Sequence, residues 1–280
     1  FGHPTASALA GRIRALRAES DGGAGAALAR PPLVPAPAAD LHPLSANQEQ
    51  MLVLFDLDRT SPVYNMAHVQ QVEEKLDTDT VRRCLEALVE RHPTLRTQLV
   101  EQDAETGVTM QRVVPMLEYE LALDVFVEAD APGSSAASGS VPRREAFMAR
   151  LYEAPFDLHA GPWVRFGLLR HASDAGGGST LVAAMHHIAG DEWSTGVLDR
   201  ELRALTSAAA DTPSLSSQQL AALPALPQLT VQYTDFAHWQ REVLSMVSES
   251  QLAYWRATLG HGGPAPLELP TDRPRPKLQT

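Results

Sequence analysis

The order of periodicities along the chain predicts a mixed α/β fold, an α+β arrangement in two layers. Three observations carry it. Val81, Cys84, Leu85, Leu88 and Val89 form one apolar stripe at helical spacing. Residues 97–100 and 108–114 read as a hairpin around a turn-rich segment. Residues 181–185 are an unbroken apolar run, as expected of a strand buried on both faces. Helices and strands interleave without an internal repeat.

Taken in order, residues 1–18 read as a short amphipathic helix, with Ala8, Leu9, Ile13 and Leu16 at helical spacing and Arg12, Arg14 and Arg17 between them. Residues 19–42 are rich in Gly, Ala and Pro, and Pro31, Pro32, Pro35 and Pro37 hold an extended linker. Ser45 and Gln48 have capping-box spacing, so a helix starts there and buries Met51, Leu52, Leu54 and Phe55. A strand over 67–72 follows, then a helix over 80–90 that Pro93 forbids from continuing, then the hairpin. Beyond a Gly/Ser loop at 133–140, a helix over 143–152 leads into Pro155-Phe156-Asp157-Leu158. Strands over 163–170 and 180–185 flank a Gly-rich connection, and a helix starts near Ser194. The Ala/Ser/Pro span 208–227 reads as a mobile surface loop, and the last helices fall within 232–260.

Composition removes several functions. A net charge of -11 and a pI near 5.3 argue against a nucleic-acid partner, which needs clustered Lys and Arg in excess. The single Cys excludes an internal disulfide framework and a thiolate-cluster zinc site. No apolar run approaches the roughly 20 residues that span a bilayer, so no membrane partner is expected. There is no P-loop and no dinucleotide fingerprint. The opening on Phe1, without an initiator Met or a signal peptide, reads as a piece of something longer.

The sharpest local feature is Met185-His186-His187-Ile188-Ala189-Gly190-Asp191-Glu192-Trp193-Ser194, where a buried strand runs into a loop before a helix. A strand end holds a side chain rigidly, and a neutral imidazole accepts a proton near pH 7. Asp191 is four residues past His187 and either reaches back across the turn or pairs with an arginine. The residues alone leave three readings open. They are a base with its brace, a metal pair with no third strong ligand obvious nearby, and a satisfied core histidine.

His186-His187-Ile188-Ala189-Gly190-Asp191 resembles the HHxxxDG signature of condensation domains from nonribosomal peptide synthetases, and it has company. Pro43-Leu44-Ser45-Ala46-Asn47-Gln48, Tyr64-Asn65 and Arg91-His92-Pro93-Thr94-Leu95-Arg96-Thr97 resemble earlier blocks of that family. Pro155-Phe156-Asp157-Leu158 with Gly161-Pro162, then Tyr233-Thr234-Asp235-Phe236-Ala237-His238-Trp239-Gln240, and last Leu269-Pro270-Thr271-Asp272-Arg273-Pro274-Arg275-Pro276, continue the series in family order. Phe1-Gly2-His3-Pro4-Thr5 with Leu9-Ala10 resembles the start of the last helix of a peptidyl carrier domain.

The resemblance implies a chloramphenicol acetyltransferase-like N-terminal lobe of a bilobal domain over 43–280, with the second lobe begun but mostly missing. A carrier-domain helix (1–18) and a linker (19–42) would precede it. It implies amide formation between a carrier-bound acyl thioester and a carrier-bound aminoacyl acceptor, with little turnover by this stretch alone. His187 would be general base or positioner of the amine, and His186 would fix the loop. Asp191 would be the bracing carboxylate, with Arg96 or Arg91 as its partner. Glu192, Trp193 and Ser194 would line the substrate tunnel. Upstream and downstream peptidyl carrier domains and an adenylation domain of the same synthetase are the implied partners, in the cytoplasm. No metal is expected and no cofactor is bound directly, since 4'-phosphopantetheine rides on the carriers. Glu192 stands where the family has Gly, and so implies a narrowed tunnel or, alternatively, a noncatalytic docking module. A relative that epimerises or esterifies is a third reading.

Overall fold

The computed structural model describes residues 5–22, 30–72, 76–103, 108–128, 137–171, 178–224 and 226–260, with positions 263, 267, 270, 272 and 273. Outside them lie residues 1–4, 23–29, 73–75, 104–107, 129–136, 172–177, 225 and most of 261–280, so parts of the expected linker, hairpin turn, Gly/Ser loop, Gly-rich connection and final Pro-rich block fall outside the described residues. The chain divides into two compact units, Phe1–Pro31 with Glu242–Thr280 and Pro32–Arg241. In the smaller, helix α1 (Ala6–Gly22) runs past the expected end at residue 18, with Leu9 and Ile13 exposed.

The larger unit begins with β1 (His42–Pro43) and α2 (Ala46–Leu57). The expected capping box is present: Ser45 Oγ accepts from Gln48 N at 3.1 Å, and Gln48 Oε1 accepts from Ser45 N at 2.9 Å. Then come β2 (Asn65–Val72) and α3 (Thr78–Arg91), whose N-cap Asp77 accepts from Thr80 N at 2.6 Å. Strands β3 (Thr97–Asp103) and β4 (Val108–Val113) form the predicted hairpin. Strand β5 (Leu123–Val127) lies in a segment too short and too exposed to show alternation, and sequence reasoning misses it. Helix α4 (Ala137–Tyr152) starts inside the expected Gly/Ser loop, and strands β6 (Val164–Arg170) and β7 (Ser179–His186) follow as expected. Helices α5 (Glu192–Asp211) and α6 (Ser217–Ala221) follow, and α7 (Tyr233–Leu259), whose residues from Glu242 on belong to the smaller unit, replaces the several helices anticipated.

The described strands make two sheets, β1-β4-β3 and β2-β7-β6-β5. In the larger one β7 pairs antiparallel with β2 and β6, while β5 joins β6 in parallel. Helices cover both of its faces. On one, the α3 stripe and Leu198, Leu202, Leu205 and Ala209 of α5 pack on Phe166, Leu168, Leu181, Ala183 and Met185. On the other, Phe147 and Leu151 of α4 meet Leu169 and Val182. Every residue of β7 is therefore buried, which explains its unbroken apolar run.

Gly167 of β6 lies under α4, where an added Cβ would stand 2.2 Å from Leu151 Cδ1 and 3.1 Å from Phe147 Cζ. Gly167→Ala is expected to destabilise the chain by about 1–3 kcal/mol through overpacking. Denaturant unfolding measures this, and an unchanged midpoint contradicts it.

The span 208–227 corrects the expectation of a mobile loop. Helix α5 continues through its first residues, and α6 carries its own capping box at Ser216 and Gln219. Leu220 and Leu226 are buried, and Arg83 of α3 donates to the carbonyls of Leu215 (3.0 Å) and Pro213 (2.8 Å). Low-complexity composition does not say whether its few leucines find a core.

Candidate functional site

Strand alternation sends successive side chains to opposite sides, so the two histidines at the end of β7 meet different surroundings. His186 is 3% exposed, whereas His187 is exposed. The backbone between them is pinned: His186 N donates to Trp163 O (3.0 Å), His187 N to Tyr64 O (2.8 Å) and Ala189 N to His186 O (2.9 Å). His186 Nδ1 accepts from Ile188 N at 3.1 Å, and its ring lies among those of Tyr64 and Phe156. Burial, with His187 as the lesser cause, pulls the His186 imidazole down to about 4. It is a neutral acceptor that shapes the loop.

Ile188 and Ala189 anchor the loop in a second cluster with Leu44, Phe55, Leu99, Phe156, Leu158 and Trp163. The Pro155-Phe156 stretch is itself fastened by Arg165, which donates to Ala154 O (2.7 Å) and stacks 3.8 Å over the Phe156 ring. Thr94 Oγ1 adds a hydrogen bond to Ala189 O at 3.3 Å.

Asp191 is the N-cap of α5. Its Oδ1 accepts from Ser194 N at 2.9 Å and from Ser194 Oγ at 2.8 Å, and these bonds, the backbone one first, hold its carboxyl below the usual range. Gly190 is needed beside it, since a Cβ there would stand 2.8 Å from Ser194 Cβ.

The arginine brace is corrected. Arg96 donates to three carbonyls, Val114 O (2.9 Å), Val89 O (2.6 Å) and Glu90 O (3.3 Å), and so closes the C-terminal end of α3. Arg91 donates to Glu201 Oε2 (3.0 Å) and Pro227 O (2.5 Å). Neither is bonded to Asp191, which is exposed and satisfied by the start of its own helix, and so needs no cation. The buried carboxylate is Glu201, 5% exposed, with His92 Nε2 at 2.6 Å and Arg91 Nε at 3.0 Å. Burial pushes its carboxyl up, but His92 and Arg91 together outweigh burial and leave it below the usual range. Sequence reasoning passes over it, although an acid three residues after Leu198 and four before Leu205, on the apolar stripe of α5, is a signal.

These elements enclose a cavity of about 610 Å³ within the larger unit. His187, Asp191, Trp193 and Ser194 line it, and so do His92, Thr94 and Tyr233. Tyr233 Oη is 2.9 Å from Ser45 Oγ, tying the start of α7 to the cap of α2. Glu192 is not on the wall. It is the exposed first residue of α5, with ordinary helical backbone, since no described non-glycine residue has positive φ. It is absent from the residues that line this cavity, whereas Trp193, 83% exposed, is among them. Among the described residues no group of three or more His, Cys, Asp or Glu is placed to hold a metal. No described helix is long and apolar enough to cross a membrane.

The sheet topology and the histidine at the end of its buried strand place the fold with solved condensation-type domains. The X-domain from teicoplanin biosynthesis, solved in complex with OxyB, superposes with a TM-score of 0.67 at 23% identity, over 89% of this chain and 50% of that one. The starter condensation domain of rhizomide synthetase RzmA gives 0.61 at 20% identity, over 80% and 48%. The condensation-domain family profile matches residues 38–280, and the chain belongs to that family. Among curated relatives, a linear gramicidin synthase of Brevibacillus parabrevis is 35% identical over 288 residues, 100% of this chain and 3% of the synthase. Phosphinothricin tripeptide synthetase PhsC of Streptomyces viridochromogenes is 34% identical over 242 residues, 85% of this chain and 20% of the synthetase. The chain thus spans about half the length of the solved domains and a small part of the synthetases.

Proposed function

We propose that the chain takes part in amide bond formation between a carrier-bound acyl thioester donor and a carrier-bound aminoacyl acceptor. The amine nitrogen attacks the thioester carbonyl, the C–S bond breaks, and the N–H proton passes by way of His187 to the departing thiolate. The observation that carries this reading is the pinned backbone of His187, which presents an exposed imidazole to the cavity beside the start of α5. Holding two tethered substrates in register supplies much of the rate in such a reaction. Upstream and downstream peptidyl carrier domains with their 4'-phosphopantetheine arms, and an adenylation domain of the same synthetase, are the partners this requires, in the cytoplasm. The test is amide product from loaded carriers in the complete module, with His187 intact and with His187→Ala.

Glu192 off the cavity wall supports a catalytic reading over a docking module. Glu192→Gly is expected to leave product formation unchanged and to cost about 0.5–1 kcal/mol of stability, through helix propensity and the lost acidic charge at a helix start. A rise in product would restore a blocking role for Glu192.

A further inference from the structure

The cavity wall carries a second imidazole that the His186-His187 loop does not supply. His92 follows the last residue of α3, and its Nε2 is 2.6 Å from Glu201 Oε2. An ionised carboxylate only accepts, so His92 donates through Nε2, and a ring with a single proton then leaves Nδ1 as an acceptor. Among the described residues no hydrogen bond takes up Nδ1, and His92 lines the same cavity as His187. The arginine of the cluster binds more of that wall: Arg91 Nη2 donates to Pro227 O, and Gln232 Nε2 donates to Arg91 O at 3.2 Å. A buried charged cluster is weak as a source of stability, but it fixes orientation well.

We propose that His92, held by Glu201, is a substrate-binding residue of the cavity, its Nδ1 accepting an N–H from the aminoacyl acceptor. This rests on the amide-forming reading above. A primary amine has two N–H groups and one lone pair, and two acceptors on the N–H groups leave the lone pair aimed at the carbonyl. His187 takes one and His92 the other.

The conservative variant is His92→Gln, because the glutamine Nε2 retains a donor to Glu201 while its acceptor, Oε1, no longer stands at the Nδ1 position. The probe is a stable glycyl-pantetheine amide titrated into the full chain carrying isotope-labelled histidine, followed by NMR. In the unsubstituted chain the His92 Nδ1 resonance is expected to move on binding, together with those of His187. His92→Gln is expected to bind the probe about three- to tenfold more weakly, the loss of one hydrogen bond. If His187 responds while His92 Nδ1 stays still, or His92→Gln binds as tightly, the role of His92 is overturned and the amide-forming reading stands. If the probe does not bind at all, both fall. Should His92→Gln fail to fold, the Nδ1 resonance of the unsubstituted chain decides alone.

Discussion

His187→Ala is expected to lower amide formation by at least about a hundredfold, the lower end of what a positioned proton acceptor contributes. The ring is exposed, so its loss leaves the core untouched and stability should change by no more than about 0.5 kcal/mol. That separates it from its neighbour. His186 is buried against Tyr64 and Phe156 and accepts from Ile188 N, so His186→Ala would injure the loop and confuse fold with chemistry. Amide product is measured by mass spectrometry in a single turnover of the complete module from loaded carriers, with unfolding midpoints recorded alongside. A folded His187→Ala variant within about threefold of the unsubstituted rate would remove the proton-accepting role. Orientation would then account for the rate.

Acidification from pH 7 to about 4 is expected to cost the chain about 3 kcal/mol through His186 alone. The unfolded imidazole binds its proton near the ordinary 6.5, whereas the folded one does so only near 4. The stabilising contribution is therefore complete above 6.5 and is lost as pH falls from 6.5 towards 4. His42 and His68 are also lowered by burial and add to the loss in the same window. The depressed carboxyls of Asp191 and Glu201 act lower down, as pH falls through and below their ordinary values of 3.8 and 4.5. His186→Gln isolates the histidine contribution, because the amide oxygen still accepts from Ile188 N and does not titrate. Urea unfolding at pH 7 and at pH 5 should show a smaller difference for His186→Gln than for the unsubstituted chain. Equal differences would mean that His186 is not held neutral by burial.

Local signals are legible wherever one residue type has one physical use. The α3 stripe, the Ser45–Gln48 capping box and the β7 run are all readable, because periodicity and cap chemistry act within a few residues. Strand β5 is not, since its place beside β6 comes from a partner about forty residues away. Helix α6 hides in an Ala/Ser/Pro span because two buried leucines and Arg83 of a distant helix decide its order. The arginines of the Arg91–Thr97 block suggest partners for Asp191, yet α3 ends close to both. Its carbonyls take Arg96, and Glu201 takes Arg91.

By itself the sequence determined the mixed α/β class, the strand-to-helix loop with His186, His187 and Asp191, and the family to which its ordered blocks point. Only the tertiary structure decided which histidine faces the cavity, which carboxylate is buried, and that Glu192 lies off the wall. Spacing sets what neighbours along the chain do for one another. Burial and ion pairing are set by groups that folding brings together from α3, α5 and α7, and their desolvation has no signature in any one of those segments.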